Sequence, residues 1–234
     1  MQGVFITGTD TDAGKTFVGV AIAKSLTTLG IKVIPRKPIE SGCLREGDEL
    51  IPRDASALMK AANYQGTLTE ICPYRFEPPV SPARAAHLAN KVITTEQLVN
   101  TCLRGSEQGF TLVEGAGGFY SPLAENGLNA DLAVGLQLPV LLVADDRLGV
   151  INQVLLNIEA IQRRGLQLVG VVLNALDESN SDHMNNSADL RERLSCPVFS
   201  LAFSKDGTVE LPEALIERLI SSSGSKNSHI GVVG

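Results

Sequence analysis

Gly8-Thr9-Asp10-Thr11-Asp12-Ala13-Gly14-Lys15-Thr16 follows the apolar run Val4-Phe5-Ile6 and precedes a segment with helical apolar spacing. A glycine-rich turn between a strand and a helix exposes backbone N–H groups, and the helix dipole adds partial positive charge there. The stretch therefore predicts a cradle for a polyphosphate. Lys15 would reach the β- and γ-phosphates, and Thr16 would offer its hydroxyl to a Mg²⁺ ion that bridges them.

The spacing of this loop differs from the common form. Five residues separate Gly8 from Gly14, whereas the usual motif has four residues before Gly-Lys-Thr. The alternative is an ordinary strand-to-helix turn that happens to contain these residues. Asp10 and Asp12 would be unfavourable beside phosphates, so we expect their carboxylates to point elsewhere, for example toward an amine of a second substrate.

Composition narrows the class of protein. The 234 residues fit one α/β domain, with two small domains as the alternative. Hydrophobic residues make up 44% and charged residues 20%, and the net charge of −6 disfavours nucleic acid as a partner. The four cysteines, at positions 43, 72, 102 and 196, form no CxxC pair, so we expect neither zinc nor disulfides. We expect a reducing cytoplasm, no targeting segment and no membrane span.

Apolar runs alternate with helical patterns along the chain. This alternation predicts an α/β fold, with a mostly parallel sheet and helices on both faces. We expect a single domain over residues 1–220 and a Ser/Gly-rich, disordered tail over residues 221–234. The predicted strands cover about 4–6, 32–36, 110–113, 139–145, 168–174 and 197–201; helices follow Thr16 up to Gly30 and cover about 52–62, 94–108, 150–163, 183–194 and 210–221.

Ligands of such sheets collect at the carboxyl ends of the strands. Lys37 follows the second strand, Glu114 ends the third and begins a glycine-rich turn, and Asn174 ends a later one. Lys37 is either a solvated surface lysine or a second ammonium group beside the polyphosphate. Glu114 is either a loop carboxylate or a ligand at this edge, and Asn174 is either a turn residue or a ligand contact.

Asp54 lies at the expected start of a helix. An acidic residue there stabilises the helix without any further role, so both interpretations stay open. Thr16, Asp54 and Glu114 together supply the hard oxygen ligands that Mg²⁺ prefers. We therefore predict these three residues as the metal site.

Several motifs in order resemble the dethiobiotin synthetase family. They are Gly8–Thr16, Lys37-Pro38-Ile39-Glu40-Ser41-Gly42, Ser81-Pro82, Val113–Gly118 and Arg147-Leu148-Gly149-Val150-Ile151-Asn152. The five-residue spacing in the first loop is the family's own form. The resemblance covers about residues 2–175 and implies a P-loop NTPase-like, ATP- and Mg²⁺-dependent cyclo-ligase of biotin biosynthesis.

The resemblance also implies the reaction and the residues that perform it. 7,8-Diaminopelargonate, CO₂ and ATP would give dethiobiotin, ADP and phosphate through a carbamate and a carbamic-phosphoric anhydride. Lys15 and Lys37 would be catalytic, and Thr11, Lys37 and Ser41 would contact the diamine. Ser81 and Pro82 would line its channel, or else form only a turn. The implied nucleotide contacts are Asp12, Ala13, Gly14, Lys15, Thr16, Phe17, Asp54, Glu114, Gly115, Ala116, Gly117, Asn174 and Ala175.

A homodimer is implied as well, in which Gly149, Val150, Ile151 and Asn152 of one subunit bind the substrate carboxylate of the other. Two departures stand out: Asp12 replaces a common glutamate, and Leu201-Ala202-Phe203-Ser204 lacks the family's Gly-x-Ile-Pro character, so nucleotide preference stays open. A partition-type ATPase switch and a cobyrinate-type amidotransferase are the competing classes. The acidic loop disfavours the first, and the chain length disfavours the second.

Overall fold

The computed structural model describes residues 1–178, 184–205 and 207–222. In this part of the chain the main sheet has six strands, all parallel, in the order β12-β11-β10-β1-β7-β2. The strands are β1 (Gly3–Gly8), β2 (Val33–Arg36), β7 (Phe110–Gly118), β10 (Val140–Asp145), β11 (Leu168–Asn174) and β12 (Val198–Leu201).

The predicted parallel sheet with helices on both faces is confirmed. Side chains alternate along β1, so Phe5 enters one hydrophobic core while Val4 and Ile6 enter the other. Because both faces are covered, the strands read as continuous apolar runs rather than as alternating ones. Strand β11, for example, is buried at all seven positions.

The helices divide between the two faces. Helices α1 (Lys15–Thr28), α2 (Arg53–Ala61) and α9 (Glu213–Ser222) contribute to the core on the side of Ile6. The core on the side of Phe5 takes residues from α4 (Pro82–Leu88), α5 (Thr95–Leu103), α6 (Asn129–Leu136), α7 (Val150–Arg163) and α8 (Asn186–Arg193). A one-turn helix, α3 (Leu68–Ile71), and a short 3₁₀ helix (Ser106–Gln108) complete the set in the described residues.

In the described residues, three short strand pairs lie outside the main sheet. Strand β3 (Ile39–Ser41) pairs in parallel with β6 (Tyr74–Phe76). The pairs β4 (Leu44–Glu46) with β5 (Glu49–Ile51) and β8 (Pro122–Ala124) with β9 (Gly127–Leu128) are antiparallel. None of these pairs was expected from the sequence, because segments of two or three residues carry no measurable periodicity.

Three local expectations need correction. Glu114 does not end its strand, since β7 continues to Gly118. Helix α5 ends at Leu103 instead of about residue 108, because Arg104 is extended and Gly105 has a φ of 68°. Ser221 and Ser222 complete α9. The remainder of the predicted tail lies outside the described residues, and so does residue 183 of the helix predicted over about 183–194.

Two predicted helix boundaries are confirmed. Thr94 and Gln97 form the capping box that begins α5, each side chain bonding the other residue's backbone N–H. Gly30 follows the end of α1 with a φ of 78°, and Ile31 N donates to Leu26 O at 3.0 Å. Glycine suits this position because it adopts the left-handed conformation without steric cost.

Candidate active site

Strand register brings the polar residues of three neighbouring strands together. Ile6 pairs with Glu114 across β1 and β7, and Arg36 pairs with Val113 across β2 and β7. The residue after Arg36 is Lys37, so it lies beside Glu114. The parallel direction of the strands therefore sets the phosphate loop, Lys37 and Glu114 at one edge of the sheet.

The phosphate loop turns into α1 at Gly14, which adopts a left-handed conformation with a φ of 88°. Lys15 Nζ donates to the carbonyl of Asp10 at 3.0 Å, so its side chain folds back over the loop. Asp10 accepts from the backbone N–H of Thr11 at 2.8 Å. The carboxylate of Asp10 therefore stabilises the loop itself, and only Asp12 of the two acids lines the central cavity.

Lys37 is buried among carboxylates. Its Nζ lies 2.6 Å from Glu114 Oε1 and 3.2 Å from Asp54 Oδ2, and it donates to the carbonyl of Gly115 at 2.8 Å. Burial opposes the charge, but Glu114, Asp54 and Glu40 outweigh it, so the pKa of Lys37 is raised. Lys37 therefore remains an ammonium ion at any ordinary pH and is no solvated surface lysine.

The three predicted metal ligands meet at this point. Thr16 Oγ1 donates to Glu114 Oε1 at 2.9 Å. Burial disfavours the Asp54 carboxylate, but the charge on Lys37 and hydrogen bonds from Thr16 and Lys37 outweigh it, so the pKa of Asp54 is lowered. Glu114 Oε2 is buried without a hydrogen-bond partner among the described residues. A cation ligated there would satisfy that oxygen, so the residues present fit a hard divalent metal.

Lys15 differs from Lys37 in its electrostatics. Burial, followed by the neighbouring charge on Lys37, lowers the pKa of Lys15 to about 8, although Glu114, Asp54 and Asp12 act in the opposite direction. Lys15 therefore loses its proton within an accessible pH range, whereas Lys37 does not.

A cavity of about 670 Å³ lies over these groups. One part of its wall carries the cationic and hydroxyl groups of the phosphate loop. Another part carries the same kinds of group from the segment after β2 and from the segment before α4. Of the predicted contacts, it is lined by Thr11, Asp12, Gly14, Lys15, Thr16, Lys37, Ser41, Asp54, Ser81, Pro82, Ala116 and Gly117. Glu40, Pro79, Val80 and Ser121 line it without having been predicted.

Other predicted contacts lie outside this wall. They are Ala13, Phe17, Glu114, Gly115, Asn174, Ala175 and Gly149 to Asn152. Glu114 and Gly115 lie directly beneath the cavity, since both bond Lys37. Asn174 lies behind the loop, where its amide donates to Ala13 O at 3.5 Å, and its Oδ1 is buried without a partner in the described residues.

Two buried residues that the sequence analysis missed hold this edge together. Glu40 accepts hydrogen bonds from the backbone N–H groups of Asp54 and Ala55. Asn129 accepts from Ala116 N at 3.0 Å and donates to Gly118 O at 2.9 Å. Their partners are backbone groups 11 to 15 residues away, and no sequence motif marks such pairs.

In residues 1–178, 184–205 and 207–222, no cluster of three or more His, Cys, Asp or Glu side chains has the arrangement of a metal site. No helix in the same residues has the length and apolar character needed to cross a membrane.

Comparison with known proteins identifies the family. A family model described as an AAA domain matches residues 2–202. ATP-dependent dethiobiotin synthetase BioD of Vesicomyosocius okutanii is 42% identical over 176 residues, 75% of this chain and 80% of that protein. The proteins of the same name from Cellvibrio japonicus and Pseudoalteromonas translucida are 39% and 34% identical, over 84% and 90% of this chain and 87% and 94% of their own lengths.

Solved structures with low identity share the fold. The signal recognition particle receptor FtsY of Elizabethkingia anophelis, in complex with GDP, matches 97% of this chain and 65% of its own with a TM-score of 0.54 at 15% identity. A ParA family ATPase from Chlorobium tepidum matches 95% of this chain and 91% of its own with a TM-score of 0.52 at 14% identity. These likenesses concern the fold alone, whereas the sequence relatives and the motifs around Lys15, Lys37 and Glu114 agree on one assignment: the chain belongs to the ATP-dependent dethiobiotin synthetase family.

Proposed function

We propose that this chain is a cyclo-ligase that forms dethiobiotin from 7,8-diaminopelargonate, CO₂ and ATP. Its membership of the dethiobiotin synthetase family supports this. The structural observation that carries the proposal is the single cavity in which Gly14, Lys15 and Thr16 of the phosphate loop face Lys37 and Ser41. A polyphosphate and a second small substrate would share that space.

The chemistry that we propose needs no covalent enzyme intermediate. One amine of the substrate adds to CO₂ and loses a proton, which gives a carbamate. A carbamate oxygen then attacks the γ-phosphorus of ATP, so the bond to the bridging oxygen breaks and ADP leaves. The neighbouring amine finally attacks the carbonyl carbon of the mixed anhydride, expels phosphate, loses a proton and closes the cyclic urea. Such steps depend mainly on positioning and on stabilisation of negative charge.

Two lysines would supply that stabilisation. Lys37 is a permanent cation, because three carboxylates keep its pKa raised in spite of burial. It would neutralise charge on the carbamate and on the transferred phosphoryl group. In the described part of the chain, Lys15 Nζ donates to a carbonyl of its own loop, and that bond is readily exchanged for a stronger one to a phosphate oxygen. Thr11 and Ser41, both at the cavity wall, would orient the diamine.

We propose that the nucleotide contacts the segments Asp12–Phe17 and Glu114–Gly117, together with Asn174 and Ala175. Asn174 supports this proposal through a side-chain carbonyl oxygen that is buried and has no hydrogen-bond partner among the described residues. An adenine amino group would satisfy that oxygen. The segment 201–204 differs from the family pattern, so a comparison of ATP with GTP and CTP belongs in the first assay.

Mg²⁺ is proposed as the metal, held by Thr16, Asp54 and Glu114. The unpartnered oxygen of Glu114 supports this, and so does the all-oxygen character of the set. When bound, the ion would supply charge neutralisation for the phosphates. Thr16 would orient the Glu114 carboxylate through its hydrogen bond to Oε1, and Lys37 would balance the negative charge of Asp54 and Glu114.

A homodimer and a cytoplasmic location complete the proposal. Gly149–Asn152 begins α7 but does not line the cavity of its own chain, and the adjacent Leu148 is 86% exposed. A second copy would cover Leu148, and the N-terminus of α7 would bind the carboxylate of the substrate held by that copy. The four cysteines are free thiols, which suits a reducing compartment. Sedimentation analysis of wild type and Leu148→Asp tests the dimer, since the charge should dissociate it.

The deciding experiment measures ADP and dethiobiotin together. Purified protein is supplied with ATP, Mg²⁺ and bicarbonate, with and without 7,8-diaminopelargonate. ADP release that depends on the diamine and equals dethiobiotin formation supports the proposal. ATP hydrolysis that is independent of the diamine, or an absence of dethiobiotin, contradicts it and favours a switch ATPase instead.

A further inference from the structure

Glu40 occupies an unusual position for a carboxylate. It lies in strand β3, is 5% exposed, and lines the cavity. Its two oxygens accept from the first turn of α2, Oε1 from Asp54 N at 3.1 Å and Oε2 from Ala55 N at 3.0 Å. Both oxygens of this buried carboxylate are thus engaged by another element.

Helix α2 depends on this interaction at its start. The residue before its first turn is Pro52, which makes no side-chain capping bond. The first N–H groups of any helix lack intrahelical acceptors, and a negative charge there complements the helix dipole. Glu40 supplies both the acceptor and the charge from 14 residues earlier in the chain.

The same turn carries a predicted metal ligand. The Asp54 backbone N–H is bonded to Glu40, while the Asp54 carboxylate lies 3.2 Å from Lys37 Nζ. Fixing the backbone of Asp54 against β3 therefore fixes the distance from its carboxylate to Lys37 and Thr16. Without Glu40 the first turn would be free to rotate or fray, because Pro52 itself provides no side-chain cap.

We propose that Glu40 is a positioning residue that holds Asp54 in the geometry required for metal binding. The proposal rests on the metal role given to Asp54 above. It assigns Glu40 no contact with the metal or with the reacting atoms. Ordering of this kind through a neighbouring hydrogen bond is typical of the residues around metal ligands.

Direct metal binding tests the proposal without turnover. Mn²⁺ serves as the probe, and free Mn²⁺ is measured by electron paramagnetic resonance in the presence of a non-hydrolysable ATP analogue. In Glu40→Gln the amide oxygen can still accept a hydrogen bond from one of the two N–H groups of α2. The amide nitrogen faces the other N–H group and cannot accept from it. We expect the Mn²⁺ dissociation constant to rise about tenfold, with analogue binding in EDTA unchanged. The Mg²⁺ concentration for half-maximal rate should rise in parallel, and saturating Mg²⁺ should restore much of kcat.

Two further variants separate the possible causes. Thr94→Ala removes the cap of α5, remote from the cavity, and should lower the melting temperature without changing the Mn²⁺ dissociation constant. Asp54→Asn removes the ligand and should weaken Mn²⁺ binding more than Glu40→Gln does. If Glu40→Gln fails to fold, Glu40→Asp replaces it; this variant keeps the charge but shortens the reach, so a severalfold loss is expected.

Three results would overturn the proposal. Unchanged Mn²⁺ binding in Glu40→Gln together with weakened binding in Asp54→Asn refutes the positioning role alone and leaves the proposed function intact. Equal weakening in Glu40→Gln and Thr94→Ala reduces Glu40 to a source of general stability. Unchanged binding in Asp54→Asn removes the metal role of Asp54 and the positioning role with it.

Discussion

The ammonium of Lys37 lies 2.6 Å from Oε1 of Glu114, and the exposed fractions of the two side chains are 3% and 0%. Both side chains are almost fully buried, and each has the other as its oppositely charged partner. Asp54 shares the same ammonium but is 37% exposed, and it can therefore be hydrated. The Lys37–Glu114 pair thus links the stability of the sheet edge to its proposed chemistry.

Removal of Lys37 should cost stability as well as activity. Lys37→Met leaves Glu114 buried and unpaired, which should lower the free energy of unfolding by about 3 kcal/mol. Dethiobiotin formation should fall to background because a cation is lost from the cavity. The double variant Lys37→Met/Glu114→Gln should recover most of the stability but none of the activity. Urea unfolding measures the free energy of unfolding of each variant. If the loss in the double variant equalled the sum of the losses in the two single variants, the pairing of Lys37 with Glu114 would be contradicted.

The pH profile should report on Lys15. Its pKa is lowered to about 8, and only its charged form attracts phosphates. The value of kcat/KM for ATP should therefore be highest below pH 8 and fall as the pH rises through that value. Lys15→Arg keeps its charge throughout, so its decline should move to higher pH. An unchanged midpoint in Lys15→Arg would assign the titration to another group.

Glu114 should control the metal requirement. Glu114→Gln replaces a charged carboxylate ligand by a neutral amide oxygen, so the Mg²⁺ concentration for half-maximal rate should rise by about tenfold or more. Glu77→Gln is the matched control, because Glu77 is exposed and bonds Arg45 away from the cavity. An identical Mg²⁺ titration for wild type and Glu114→Gln would exclude Glu114 from the metal site.

Two glycines with similar backbone angles should respond differently to alanine. Gly14 and Gly30 have φ values of 88° and 78°, so each substitution should cost about 1 kcal/mol of stability. A Cβ at Gly30 meets open space, whereas one at Gly14 overlaps the amide of Asn174. We expect Gly14→Ala to lose ATP binding and Gly30→Ala to retain it, as measured by calorimetry. Equal ATP affinity in the two variants would argue against close packing behind the loop.

Much of the fold was predictable because it depends on local patterns. The buried runs of β1, β10 and β11 are continuous and apolar, and Thr94 with Gln97 marks the start of α5 by its capping spacing. Helix α6 was missed although its position is fixed by Asn129, since its residues show no strong apolar periodicity. The extension of β7 from Glu114 to Gly118 was missed because glycines usually interrupt strands.

The sequence by itself determined the phosphate loop, the parallel sheet and the family, because these follow from short-range spacing and from motifs in order. It also predicted Thr16, Asp54 and Glu114 as metal ligands. It predicted Lys37 as a catalytic residue. Only the tertiary structure decided that Lys37 is buried against Glu114, that the pKa of Lys15 is lowered, and that Glu40 caps α2. Those features arise from the desolvation and pairing of groups 14 to 77 residues apart, and no local pattern encodes such distances.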